Sequence, residues 1–235
     1  IHAGATNETK VKVKYIAAES VSNDNVAEKL KGLDGVLVAP GFGERGLEGK
    51  LTTIKHVREN KIPFFGICLG MQCSVIEFGR NVLGLKGANS FEMDETTPHP
   101  VINLMEEQKN ITNMGGTMRL GAYDCEIKKG TKAYGIYGKS KISERHRHRY
   151  EFNYNFHSRF EESGFLCSGT SPDKRLVEFI EMENHPYWVG TQAHPEFKSR
   201  PDRPHPLFRE LIAASLVNRE KRLARGATAS VTQSA

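Results

Sequence analysis

Cysteine is scarce in this chain of 235 residues: Cys68, Cys73, Cys125 and Cys167 form neither a CxxC pair nor a metal-type spacing. A disulfide framework and a cysteine-built zinc site are therefore not indicated, and any special cysteine is expected to be a nucleophile. Long apolar runs are missing too. The longest, over 35–39 and 62–69, fall far short of the roughly 20 residues that span a bilayer, and no basic-then-apolar segment opens the sequence. A soluble cytoplasmic protein with no membrane partner is the expectation. No GxxxxGK[ST] loop occurs, so ATP binding in that manner is not expected. No internal repeat or polar linker divides the chain. Charge of one sign is not segregated either: the net +5 comes from interleaved residues, except at Arg145-His146-Arg147-His148-Arg149. A bulk excess of that size speaks to solubility, so nucleic acid is not expected as a partner and the cluster reads as a candidate anion site.

What is there has the pattern of a globular α/β domain, with 38% hydrophobic and 26% charged residues. Residues 10–17 alternate polar and apolar, predicting a strand, and a short helix is expected over 24–31. An apolar run over 33–39 ends at Pro40-Gly41-Phe42-Gly43, the pattern of a strand buried on both faces and closed by a glycine turn. Leu47, Leu51, Ile54 and Val57 then recur at helical spacing up to Asn60. A second strand over 62–67 runs into Cys68 and a helix through residue 78. Two strand-then-helix units predict a largely parallel sheet flanked by helices. From 88 to 149 the pattern breaks into short strands and loops. Strands return at 176–183 and 187–193, a helix follows over about 206–222, and the small polar residues 226–235 are expected to be disordered. The domain is accordingly placed at 1–225.

Gly66-Ile67-Cys68-Leu69-Gly70 sets a cysteine between glycines at a strand-to-helix junction, the arrangement that exposes the nucleophile in hydrolase elbows. A helix N-terminus there favours thiolate. The same run also fits a buried core cysteine. Gln192-Ala193-His194-Pro195-Glu196-Phe197 supplies a base and an orienting carboxylate two residues apart, stiffened by proline, and fits a plain surface turn equally. Main-chain donors in Gly41-Phe42-Gly43 and at Leu69 could face an oxyanion.

Together, Gly66-Ile67-Cys68-Leu69-Gly70-Met71-Gln72 and His194-Pro195-Glu196 resemble the class I glutamine amidotransferases. Gly41-Phe42-Gly43-Glu44-Arg45-Gly46, Asn89-Ser90-Phe91-Glu92, the stretch from Gly115 to Gly121 and Glu144 to Glu151 are similar to the CTP synthase branch of that family. The resemblance implies Cys68 as nucleophile, His194 as base and Glu196 as its orienting carboxylate. It implies glutamine contacts at Gly41, Phe42, Leu69, Gly70, Met71 and Gln72, with Glu92 on the substrate ammonium and Arg149 on its carboxylate. A free amino acid carries one charge of each sign, so an opposed pair of this kind is what its recognition needs. Arg45 falls where the activator GTP is sensed. The implied reaction releases ammonia from L-glutamine with no metal or cofactor in this domain. An amidoligase domain of the same full-length chain, binding ATP, Mg and UTP, would use the ammonia in a homotetramer.

Two departures stand against the family pattern. Pro40 occupies the place of the first glycine of the oxyanion loop, and the start Ile1-His2-Ala3-Gly4 resembles the end of the domain's first helix, implying that its first strand and the amidoligase domain are absent. Two rivals stay open on the residues alone: a cysteine hydrolase acting on γ-glutamyl peptides, and a non-catalytic module that kept the fold.

Overall fold

Strand β2 (Phe64–Ile67) is buried at every position, as a continuous apolar run with side chains on both faces requires. Phe64 packs into one hydrophobic cluster and its neighbour Phe65 into the other, so the sheet carries a core on each side. The computed structural model describes residues 1–104 and 118–232, the side chains of 226–232 excepted. Around β2 the chain runs, in order, through α1 (His2–Thr6), α2 (Val26–Leu30), β1 (Val36–Val38), α3 (Leu47–Glu59), then β2 and α4 (Leu69–Asn81). There follow β3 (Asn89–Ser90), β4 (Pro100–Asn103), β5 (Arg119–Ile127), α5 (Lys132–Tyr137), β6 (Lys141–His148) and β7 (Glu151–Phe152). The last elements are α6 (His157–Glu161), β8 (Phe165–Thr170), β9 (Val177–Met182), β10 (Trp188–Thr191) and α7 (Pro206–Thr232).

The main sheet has the order β1-β2-β10-β9-β8-β5-β6. The expected parallel character is confined to β1, β2 and β10; from β10 to β6 every pairing is antiparallel. The sheet is therefore mixed, within the α/β class expected. A small second sheet, β3-β4-β7, stands beside it. α3 buries the Leu47, Leu51, Ile54 and Val57 stripe on one side with α4, and α7 contributes Leu207 and Leu211 on the other.

Three local expectations change. Residues 10–17 form no strand: no described strand pairs with them, and Val13 and Tyr15 face solvent at 53% and 92% exposure. Alternation without a ladder partner does not make a strand, because the backbone groups gain nothing from extension alone. The middle segment contains a long hairpin, β5 with β6, and 165–170 forms β8, neither of them expected as such. α7 continues to Thr232, taking in most of the expected tail, which follows strong helix formers at Leu223, Ala224 and Arg225. Residues 233–235 lie outside the described residues, as does the Gly115-Gly116-Thr117 part of one motif.

Candidate active site

Cys68 leaves β2 with φ 51° and ψ −103° and is the N-cap of α4. Such a positive φ is rare for a residue with a Cβ, so the surrounding structure must hold it. Its N–H donates to the Thr191 carbonyl at 2.7 Å and its carbonyl accepts from the Gln72 N–H at 3.1 Å, tying the turn to β10 and to α4. The flanking glycines are steric necessities. A Cβ at Gly66 would lie 2.7 Å from the Gly70 carbonyl carbon, and one at Gly70 would lie 2.2 Å from the Val38 oxygen. Only without side chains can α4 start this close to β1 and β2.

β10 runs parallel to β2, with Thr191 opposite Ile67, so the segment after β10 emerges at the same sheet edge as Cys68. There His194 is buried, its N–H donating to the Arg145 carbonyl of β6 at 2.7 Å. Its ring stacks on Phe197 with 11° between planes. His194 Nδ1 lies 2.6 Å from Glu196 Oε1. With Glu196 ionised, Nδ1 carries the proton and donates it, which leaves Nε2 as the basic nitrogen. Nε2 is buried with no hydrogen-bond partner among the described residues.

Burial pushes the Cys68 thiol up to about 12; the Leu69 N–H opposes the rise, and the carboxylates of Glu196, Glu151 and Glu92 add to it. The resting group is thus a thiol, contrary to the expectation that the helix start alone would favour thiolate, because desolvation of the anion outweighs the amides. Cys73, Cys125 and Cys167 are buried, free thiols, and none has a positive φ.

The remaining sequence-assigned residues fall into two groups. Gly41 and Phe42 are exposed on the loop after β1, Phe42 at 88%. Leu69 and Met71 are almost wholly buried, so only their backbones could reach a ligand. Glu92 follows β3 and accepts from the Gly43 N–H at 3.2 Å, joining the small sheet to the glycine loop. Arg149 lies between β6 and β7, and its charge and that of Glu92 act on Tyr150 in opposite senses. β4 pairs Ile102 with Phe152 while its Ile102 carbonyl accepts from the Phe91 N–H at 2.9 Å; the small sheet thus holds the Glu92 and Arg149 segments on either side of β4. Arg45 is solvent-exposed and pairs with Glu19. Both line an open cavity of about 290 Å³ with Gly41, Phe42, Lys50 and Leu69.

Sequence reasoning missed two polar assemblies behind Cys68. In one, Gln72 Nε2 donates to the Tyr150 carbonyl at 3.0 Å and to Gln192 Oε1 at 3.1 Å, while Gln192 Nε2 faces Cys68 Sγ at 3.6 Å. In the other, buried Arg119 bridges Glu151 at 3.1 Å and Glu178 at 2.7 Å. His146 Nδ1 and His148 Nε2 meet at 3.0 Å beside them. Burial raises Glu151 and Glu178 above the usual carboxylate range, against the pull of Arg119, lowers His146 to about 3, and holds His148 well below its ordinary value. Glutamines inside two recognised motifs were the available signal for the first assembly; in the second, Arg119, His146, His148 and Glu151 also lie inside quoted motifs and only Glu178 does not.

A family model described as glutamine amidotransferase class-I matches residues 1–214. The CTP synthase of Flavobacterium johnsoniae is 61% identical over 222 residues, covering 94% of this chain and 41% of that protein. For the CTP synthase of Bacillus subtilis the figures are 57% over 215 residues, 92% and 40%. The chain therefore spans about two fifths of the length of the curated relatives it matches. Among solved structures, the Trypanosoma brucei CTPS glutaminase domain with bound acivicin matches with a TM-score of 0.87 at 35% identity, over 92% of this chain and 84% of that one. A putative GMP synthase protein from Thermoplasma acidophilum, 20% identical with a TM-score of 0.56, shares the fold over 86% of this chain and 82% of its own. With a family match across nearly the whole length, and a cysteine elbow and a His–Glu pair emerging at one sheet edge, this chain belongs to the class-I glutamine amidotransferase family.

Proposed function

We propose that the chain is the glutamine-hydrolysing part of a CTP synthase. The observation that carries the reading is the strained Cys68 turn, tied to β10 through the Thr191 carbonyl, with the oriented His194–Glu196 pair three residues beyond that strand. His194 Nε2 takes the Cys68 proton as the sulfur attacks the side-chain amide carbon of glutamine. Glu196 holds the resulting imidazolium. The oxyanion meets the backbone N–H groups of Gly41 and Leu69. The carbon–nitrogen bond breaks, His194 returns its proton to the leaving nitrogen, and ammonia departs from a Cys68 glutamyl thioester. A water molecule, deprotonated by His194, then attacks the thioester carbonyl, releasing glutamate and restoring the thiol.

Glu92 takes the substrate ammonium, Arg149 its carboxylate, and Phe42, Gly70, Met71 and Gln72 border the side chain. This opposed pair fits the free α-ammonium and α-carboxylate that glutamine presents. On this reading ATP, Mg²⁺ and UTP bind an amidoligase domain of the full-length chain, within a homotetramer in the cytoplasm. Arg45 is the contact for GTP. A glutamine-analogue electrophile tests the core of the reading: it labels Cys68 alone, and glutamine protects. Labelling elsewhere, or none, overturns it.

A further inference from the structure

We propose that Gln192 is a positioning residue for the nucleophile, its side-chain amide aiming an N–H at the Cys68 sulfur while Gln72 locks that amide in place. The inference rests on Cys68 being the nucleophile. Gln192 is fully buried, and its orientation is dictated from the far end of a short chain of groups. The Tyr150 carbonyl can only accept, so the Gln72 atom 3.0 Å from it is the amide nitrogen. The second N–H of that nitrogen points to Gln192 at 3.1 Å and requires an acceptor there, which must be Oε1. The Gln192 nitrogen is then the atom left facing Sγ, at 3.6 Å, a contact distance for the larger sulfur atom. The Gln192 backbone is fixed as well, its N–H donating to the Glu178 carbonyl at 3.0 Å. A flipped amide would set oxygen against sulfur and nitrogen against nitrogen.

A donor held against sulfur favours the thiolate over the thiol. It works with the Leu69 N–H and against burial and the three neighbouring carboxylates. Its effect falls where negative charge sits on sulfur: during proton transfer to His194, and when the thioester sulfur is expelled. Glutamine binding alone involves no such charge, so Gln192 acts on kcat and leaves KM nearly unchanged. A purely space-filling role would not touch the acidity of Cys68.

The test reads Cys68 alkylation by iodoacetamide against pH, quantified on the Cys68 peptide by mass, in the wild-type chain and in Gln192→Met, which keeps the volume and removes the donor. The variant is expected to ionise at higher pH, so that alkylation at a fixed pH below the midpoint slows about tenfold. Gln72→Met, which frees the Gln192 amide to turn, shifts the profile the same way by less. A further measurement needs no variant: in wild-type protein the Gln192 side-chain amide resonances move when Cys68 alone is alkylated. Superimposable pH profiles for folded Gln192→Met and wild type, or unmoved Gln192 amide resonances, overturn the inference. Alkylation needs no turnover, so a chain that behaves as expected here yet releases no ammonia sinks the proposed function and not the role of Gln192.

Discussion

Cys68 is subject to opposed demands: its burial disfavours the thiolate, yet the proposed mechanism has it surrender a proton. On that mechanism its partner groups reconcile them, since His194 stands oriented by Glu196 at 2.6 Å. Alanine at Cys68 is expected to abolish ammonia release from glutamine, whereas alanine at Cys125 or Cys167 leaves it, in ammonia assays on folded variants. Glu92→Ala is expected to raise KM for glutamine, with a loss of about 2 kcal/mol in kcat/KM; an unchanged KM in steady-state kinetics would remove Glu92 from the binding role. Cys68, His194 and Glu196 could be proposed from the sequence because an elbow and a His-Pro-Glu turn keep the parts of each group contiguous. Gln192 was not, because its work depends on the neighbouring Gln72 and Tyr150, which only the fold brings to it.

At the scale of elements, the β5–β6 hairpin is the part that sequence patterning could not find. Every second residue of β6 is buried, but three of the four inward positions are Glu144, His146 and His148, so a hydrophobic period-two signal is absent. Their burial is accompanied by polar pairing instead: Glu144 with His205 at 3.0 Å and Lys198 at 3.2 Å, and His146 with His148 at 3.0 Å beside the group in which Arg119 bridges Glu151 and Glu178. Arg119→Met is expected to destabilise the fold by about 3–5 kcal/mol, since it strands two buried carboxyls without their cation. The pH dependence has a definite sign. Both carboxyls have folded values raised above the unfolded 4.5, so their contribution is complete below that value and is lost as pH rises through the raised one. His146 and His148 are depressed, so what they contribute is lost on acidification below the ordinary histidine value. The carboxyl slope is therefore read above about pH 6.5. Denaturation there should show wild-type stability falling with pH and Glu151→Gln falling less; parallel slopes would contradict the raised carboxyls. The elbow obeys a simpler rule: Gly70→Ala drives a Cβ against the Val38 carbonyl and should cost about 3 kcal/mol in a urea titration.

For the whole molecule, the strand-then-helix order on the nucleophile side was legible because β1, β2, α3 and α4 each carry their own hydrophobic period. The antiparallel half was not, since pairing between β8, β9 and β10 is a property of the assembled sheet and no single segment announces it. The same division runs through function. The chain spans about two fifths of its curated relatives, and the proposed account gives it hydrolysis without synthesis: with ATP, UTP and ammonium it should make no CTP. The measurement that tests the central claim most directly is the reaction of the chain with glutamine alone, quenched in acid and read by intact mass alongside released ammonia. The account predicts a glutamyl adduct on Cys68 and ammonia in step with glutamate, both lost in Cys68→Ala; ammonia release that persists in Cys68→Ala, or glutamine left intact by the wild-type chain, would contradict it.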